Sequence, residues 1–361
     1  MPQYRIATIP GDGVGAEITQ EATRILNAAA QIHGFDVELE TFDWSCDYYL
    51  ENGMMMPEDA LSTLADFDSI FLGCIGDANK VPDHISLQLL LAIRTGFDQY
   101  VNLRPIKLYP GVHTPITTAT PETVDMLVIR ENTEGEYSRV GGIFKQGTPE
   151  SFALQTGVFT WKGCERVIRY AFDAAVRRKE TTGSPGRVTN CTKSNALNYS
   201  MVFWDEVYAA VAQDYPSIQT DMALVDALTM WFVKNPGWFD VVVASNLFGD
   251  IITDLGAMLQ GGMGFAGGGN VNPERTYPSM FEPIHGSAPK YTGKRVVNPI
   301  ASIEAVRMML EHLGETEAAD DVQQAVASTL EKGEVRTRDM GGNNTTDEVG
   351  LAVEKAMRAT A

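Results

Sequence analysis

Two aspartates four residues apart, Asp250 and Asp254 in the run SNLFGDIITD, are the first residues whose spacing could do chemistry. They follow the apolar run VVVA and begin a helical stretch, so both carboxylates lie on one helix face. Carboxylates so placed either repel one another or hold a hard divalent cation such as Mg²⁺ or Mn²⁺; a solvated helix face is the ordinary alternative. A helix that starts where a strand ends favours the cation, because open α/β sheets bind ligands at the carboxyl ends of their strands. Three arginines, Arg94, Arg104 and Arg130, also close apolar runs. A guanidinium fork grips a carboxylate bidentately, so their convergence would suit a dicarboxylate, although each alone is equally at home ending a helix or strand.

Other candidates are ordinary when taken singly. Asp226 opens DALTMWF, where an N-cap carboxylate is the simplest explanation. Lys193 in NCTKSNAL and Tyr137 in IRENTEGEY read as exposed loop residues, yet beside a cation a lysine can act as a base and a tyrosine can deliver a proton. His285 lies in FEPIHGSAPKYTGKRVVNP; a lone histidine is usually structural, but HGSAP reads as a tight loop with exposed backbone donors that could cradle an adenosine. The opening YRIATIPGDGVGAEI places Gly11, Gly13 and Ala16 at dinucleotide-fingerprint spacing, with Glu38 roughly twenty residues on. Against a phosphate there, Asp12 puts negative charge in the loop and Pro10 removes a donor. A glycine-rich turn without phosphate explains the spacing equally well.

The elements that must position these residues alternate. Strand-like runs at 5–9, 37–42, 69–72, 126–129 and 241–244 are interleaved with amphipathic helical stretches at 16–32, 86–93, 164–178, 196–214 and 300–312, which predicts an α/β architecture. The glycine run 261–269 reads as a loop. At 361 residues the chain can build two lobes. A formal charge of −19 and a pI near 4.6 argue against nucleic acid as a partner, and oblige any anion site to be a local cluster of arginine. Cys46, Cys74, Cys164 and Cys191 show no metal spacing and should be buried and reduced. With neither a leader-like start nor a long apolar run, a cytoplasmic protein without membrane association is expected.

In order along the chain, IPGDGVG, NLRP, IRENTEGEY, TKSNAL, SNLFGDIITD and FEPIHGSAP resemble the β-decarboxylating dehydrogenases, which include the isocitrate, isopropylmalate, homoisocitrate, D-malate and tartrate enzymes. The resemblance spans essentially the whole chain. It implies an isocitrate/isopropylmalate dehydrogenase-type two-domain α/β fold that is not a Rossmann fold. Residues 1–100 with 256–361 would form a large cofactor-binding domain, and 101–255 a central domain for dimerisation, substrate and metal. Arg94, Arg104 and Arg130 would hold the substrate carboxylates, with Ser86 and Leu90 lining the site. Asp250 and Asp254 would bind Mn²⁺ or Mg²⁺, joined by Asp226 from a second copy of the chain. Lys193, also from that copy, would take the hydroxyl proton, and Tyr137 would protonate the enolate after CO₂ leaves. His285, Gly286, Ser287, Ala288, Lys290, Tyr291, Asn298 and Asn246 would contact the cofactor. A monovalent cation such as K⁺ is a further expectation.

The helix before Arg94 meets the substrate's variable group in this family. Isopropylmalate enzymes carry glutamate seven residues before that arginine, where this chain has Leu87; isocitrate enzymes carry serine and asparagine six and four before, where it has Gln88 and Leu90. The run VPDHISL resembles instead the D-malate and tartrate enzymes, so oxidation of tartrate and oxidative decarboxylation of D-malate are expected, with isopropylmalate the nearest rival. The cofactor signals conflict. Lys290-Tyr291 stands where NAD enzymes place aspartate and resembles NADP enzymes, whereas RTRDMGGNNTTDEVG resembles the NAD-type ending; NAD is the expectation. A non-catalytic regulatory subunit is the alternative from another class, but it should have lost site residues that are all present here.

Overall fold

Unbroken apolar runs form the inner strands, because a parallel sheet covered on both faces buries every residue of a strand. SIFLGC becomes Ser69–Cys74 and VVVA becomes Val241–Ala244, each buried throughout. The computed structural model describes residues 2–360. In chain order it contains β1 (Gln3–Gly11), α1 (Gly15–His33), β2 (Asp36–Thr41), α2 (Cys46–Asn52), α3 (Ala60–Leu64), β3 (Ser69–Cys74), α4 (Asp83–Ser86), α5 (Gln88–Gly96), β4 (Val101–Lys107), β5 (Asp125–Glu131), β6 (Gly135–Phe144), β7 (Phe152–Val158), α6 (Trp161–Thr182), β8 (Arg187–Thr192), α7 (Ser200–Ala212), β9 (Gln219–Leu224), α8 (Val225–Lys234), β10 (Val241–Ala244), α9 (Asn246–Leu259), β11 (Gly267–Val271), β12 (Ser279–Pro283), α10 (Ile300–Leu313), α11 (Thr316–Lys332) and α12 (Thr346–Thr360).

The chain divides into two units. The first comprises Met1–Gln99, Lys107–Pro121 and Ala257–Ala361, so it is built from both ends of the chain. Its strands lie in the order β2-β1-β3-β12-β11, parallel except for β11, which runs against β12. The helices α1, α10, α11 and α12 pack on one another, with α10 seated on β11 and β12. The second unit comprises Tyr100–Ile106 and Glu122–Gly256, with strand order β4-β5-β10-β8-β9 and β5, β10, β8 and β9 mutually parallel. A separate antiparallel ribbon, β6 with β7, belongs to it. The stretch Lys107–Pro121 groups with the first unit rather than with the central segment that contains it in sequence.

Several local expectations are corrected. The glycine run is only partly a loop: Gly267–Val271 is the buried strand β11. Side chains there would collide, since a Cβ on Gly267 would lie 2.9 Å from Ala305 N and one on Gly269 2.9 Å from the Phe281 ring, so glycine lets α10 and β12 close in. Asp226 is not an N-cap; Leu224 occupies that position and Asp226 sits in the first turn of α8. The stretch 86–93 splits into the ends of two short helices, α4 and α5, and the helix expected from 196 begins only at Ser200 after a turn. All four cysteines are buried and free. No helix among the described residues is long and apolar enough to cross a membrane.

One half-buried titratable group ties this packing to pH. His312 near the end of α10 rests on the Phe281 ring, with centroids 5.6 Å apart. Burial, reinforced by the charge of Arg275, pulls its imidazole down from 6.5 to about 4. Unfolding restores the ordinary value, so the unfolded chain takes up a proton between the two. The contribution to stability is therefore complete above about 6.5 and is lost as pH falls toward 4. The full difference is on the order of 3 kcal/mol. Denaturant unfolding at neutral and acid pH should show a shallower loss for His312→Gln than for the parent protein; identical slopes would contradict this account.

Candidate active site

Arg130, next to last in β5, is in register with Ala244 of β10, so the chain leaving β10 enters α9 directly beside it. Gly249 in the first turns of α9 makes this approach possible: a Cβ there would stand 2.5 Å from Arg130 Cγ. The arginine is buried, and its fork is spread over α9. Nε donates to the backbone oxygen of Asn246 at 2.9 Å and to its Oδ1 at 3.2 Å, and Nη2 to the same Oδ1 at 2.9 Å. Nη1 donates to Asp250 Oδ1 at 2.5 Å. The Tyr137 hydroxyl donates to Asp250 Oδ2 at 3.0 Å, and the Arg130 guanidinium lies 5.6 Å from the Tyr137 ring centre. Burial, then the Asp250 charge, raises the Tyr137 phenol above its ordinary value, so it is a protonated donor at neutral pH.

Asp254 lies one helical turn beyond Asp250. Burial first, and the charge of Asp250 second, raise its carboxyl, while Arg104 and Arg130 pull it down. Two carboxylates disfavouring each other's charge suit a hard cation, which would relieve both. The donor set therefore fits Mn²⁺ or Mg²⁺, but it is incomplete: no group of three candidate ligands occurs among the described residues, so Asp226 does not join this pair within one chain. Asp226 is placed instead with Lys193. Thr192 at the end of β8 pairs in register with Leu224 at the end of β9, and the residues that follow meet as an ion pair, Lys193 Nζ to Asp226 Oδ1 at 2.8 Å. The hydrogen bond from Lys193 is the main reason the exposed Asp226 carboxyl lies below its ordinary value. Arg104 on β4 is buried, with Nε donating to Asn102 Oδ1 at 2.6 Å.

In the first unit, Arg94 on α5 is buried. Its Nη2 donates to Glu282 Oε1 at 3.0 Å, and its buried Nε has no hydrogen-bond partner among the described residues. Glu282 also accepts from Asn270 at 2.8 Å. Ser86 is buried, its hydroxyl on the Asp83 carbonyl at 3.3 Å, and Leu90 packs against the apolar core that includes Ile93 and Phe97. Leu87 is exposed.

The glycine fingerprint has no room for phosphate. Asp12 turns its carboxylate onto the backbone N–H groups of Cys46 and Gly76, each at 2.9 Å. Gly13 has φ +59°, and a Cβ on it would lie 2.0 Å from Ser287 O, the oxygen that accepts from Val14 N at 2.8 Å. The loop is packed against the HGSAP turn. That turn follows β12. His285 Nδ1 lies 3.0 Å from Gly286 O and 3.7 Å from Cys74 Sγ, and burial holds its imidazole below the ordinary value. The Ser287 hydroxyl donates to Gly76 O, and Ala288 takes φ +42°. Gly286 and Lys290 are exposed. Lys290 and Lys294 flank the Tyr291 ring at 4.9 and 5.8 Å, and Asn298 donates to Asp339 at 3.1 Å.

Sequence reasoning missed Glu131, Glu134, Glu282 and Asn270. Glu131 and Glu134 meet Asn246, Glu282 meets Arg94, and Asn270 meets Glu282, and spacing carries no sign of which buried partner each will find.

The isocitrate/isopropylmalate dehydrogenase family model matches residues 5–353, and the chain belongs to that family of oxidoreductases. It is 48% identical to a decarboxylating D-malate dehydrogenase of Escherichia coli, over 98% of this chain and 99% of that relative. It is 46% identical to a tartrate dehydrogenase/decarboxylase of Pseudomonas putida, over 98% of each, and 47% identical to a probable tartrate dehydrogenase/decarboxylase of Bacillus subtilis, over 97% and 96%. Among solved structures, isocitrate dehydrogenase from Methylococcus capsulatus superposes with TM-score 0.88 at 33% identity, covering 98% of this chain and 99% of that one.

Proposed function

We propose that the protein is a cytoplasmic, metal- and nicotinamide-dependent dehydrogenase that oxidises tartrate and oxidatively decarboxylates D-malate to pyruvate and CO₂. The observation that carries the reading is the Arg130–Asp250–Tyr137 constellation, which joins a carboxylate anchor, a cation ligand and a proton donor on β5, β6 and α9. The names of the relatives support the substrate class, and the absence of a glutamate at Leu87 supports a small substituent over isopropyl.

Arg104 and Arg130 in the second unit, and Arg94 in the first, are each read as carboxylate-binding groups. Asp250 and Asp254, joined by Asp226 from a second copy of the chain, would hold the cation. A bound cation would supply Lewis acidity and a bound nicotinamide would supply hydride-accepting capacity. Lys193 takes the hydroxyl proton, and the Tyr137 hydroxyl returns a proton to the carbon vacated by CO₂. Because Lys193 Nζ and Asp226 Oδ1 already lie 2.8 Å apart, a second chain would present the amine and the carboxylate as one unit, and Lys193 would accept the proton in its neutral form. A homodimer is supported by the apolar side chains left exposed in the second unit: Val140, Ile143 and Phe144 on β6, Phe152 and Leu154 on β7, Trp231 on α8.

We read the HGSAP turn, Asn298 and the residues after them as the cofactor's adenosine site in the first unit. NAD is the proposed cofactor. A second reading, NADP, is favoured by Lys290 and Lys294 around Tyr291, where cations would meet a 2′-phosphate. Formation of reduced cofactor from D-malate and Mn²⁺ with each dinucleotide tests this: the NAD reading requires the higher kcat/KM with NAD, and a preference for NADP overturns it.

A further inference from the structure

Asn246 stands at the start of α9 with every polar atom of its side chain engaged inside the second unit. Oδ1 accepts from Nε and Nη2 of Arg130 at 3.2 and 2.9 Å. Nδ2 donates to the Glu134 carbonyl at 3.0 Å and to Glu131 Oε2 at 3.3 Å. The residue is 2% exposed, and Gly135 crowds its Cβ at 3.2 Å from where a side chain there would begin. Nothing of the amide is left to offer a dinucleotide.

Glu131 fixes the other end of this chain of contacts. Its buried carboxylate accepts from Thr133 N at 2.8 Å, Thr133 Oγ1 at 3.0 Å and Glu134 N at 2.9 Å, which anchors the turn between β5 and β6. Because an acceptor-only carboxylate faces one end of the amide, the NH₂ group must point to Glu131 and the oxygen to Arg130. Asn246 is thus held in one orientation, and its oxygen fixes the plane of the guanidinium. A planar fork grips a carboxylate well only when its plane is set beforehand.

We propose that Asn246, oriented by Glu131, is a positioning residue for Arg130 and not a cofactor ligand. The proposal rests on the reading of Arg130 as a substrate-carboxylate anchor. Its test is a double-mutant cycle on the intact protein with Mn²⁺: Asn246→Ala, Arg130→Lys and both together, measuring KM for D-malate and the dissociation constant of the cofactor. Asn246→Ala should raise the KM for D-malate by at least about tenfold and leave the cofactor constant within about twofold, and the double variant should be no worse than Arg130→Lys, because the two residues act as one. A weakened cofactor constant with unchanged KM, or effects that multiply, would overturn the proposal. Exchange of the Arg130 Nη2 protons, which face the Asn246 side-chain oxygen at 2.9 Å, followed by NMR in the unaltered protein, needs no variant to fold: protection is expected, and exchange at the rate of a solvated arginine would also overturn it. If Arg130→Lys itself leaves KM unchanged, the anchor reading fails, and the exchange measurement still decides whether Asn246 holds the guanidinium.

Discussion

Lys193→Ala is expected to lower kcat for D-malate oxidation by roughly two to four orders of magnitude, the range for loss of a positioned general base, with the cofactor's dissociation constant unchanged. The expectation follows from where the register of β8 and β9 leaves the lysine: exposed enough to reach a ligand, and bonded to Asp226 at 2.8 Å. Removing it would take away the proposed proton acceptor and free the exposed Asp226 carboxylate, whose surface position makes the effect on folding small. Full turnover in the variant, measured by reduced-cofactor formation, would remove Lys193 from the mechanism. Mixing Lys193→Ala with an inactive Asp250→Ala chain goes further. If base and cation pair come from different chains, a mixed dimer regains one intact site and part of the activity; no recovery at any ratio would contradict the shared site.

Asp250→Asn is expected to have the second large effect, weakening Mn²⁺ binding by at least about a hundredfold and lowering kcat/KM more steeply still. Asparagine keeps the volume and one oxygen but loses the charge on which three partners depend. Arg130 Nη1 at 2.5 Å and the Tyr137 hydroxyl at 3.0 Å both turn toward this carboxylate, and Asp254 carries a raised carboxyl partly because Asp250 is charged. Without that charge the proposed cation would lose a ligand, and Tyr137 and Arg130 would each lose one hydrogen-bond partner's charge. Mn²⁺ binding followed by electron paramagnetic resonance separates the cation effect from catalysis, and unchanged affinity would exclude Asp250 as a ligand.

What could be read from the residues alone divides along physical lines. The continuous apolar strands and the helix of SNLFGDIITD were legible because burial and periodicity are local signals, and β10 matches its run residue for residue. The aspartate pair on α9 follows from the same spacing. Gly267–Val271 was illegible as a strand because its glycines answer to α10 and Phe281, which are distant in sequence. The β6–β7 ribbon escaped because Val140, Ile143, Phe144, Phe152 and Leu154 are exposed, so no buried face imposes an alternation. Spacing placed Gly11 and Gly13 in a dinucleotide fingerprint; the structure closes that loop with the Asp12 carboxylate and the Ser287 carbonyl. Asn246 shows the same limit from the other side. The motif marks it as a site residue, but only its contacts tie it to Arg130.

The reaction itself is tested most directly by product balance. Purified protein with Mn²⁺ and NAD should form reduced cofactor, CO₂ and pyruvate in equal amounts from D-malate, and reduced cofactor from tartrate, at a kcat/KM well above that for isopropylmalate. Turnover of isopropylmalate with neither D-malate nor tartrate oxidised would contradict the assignment.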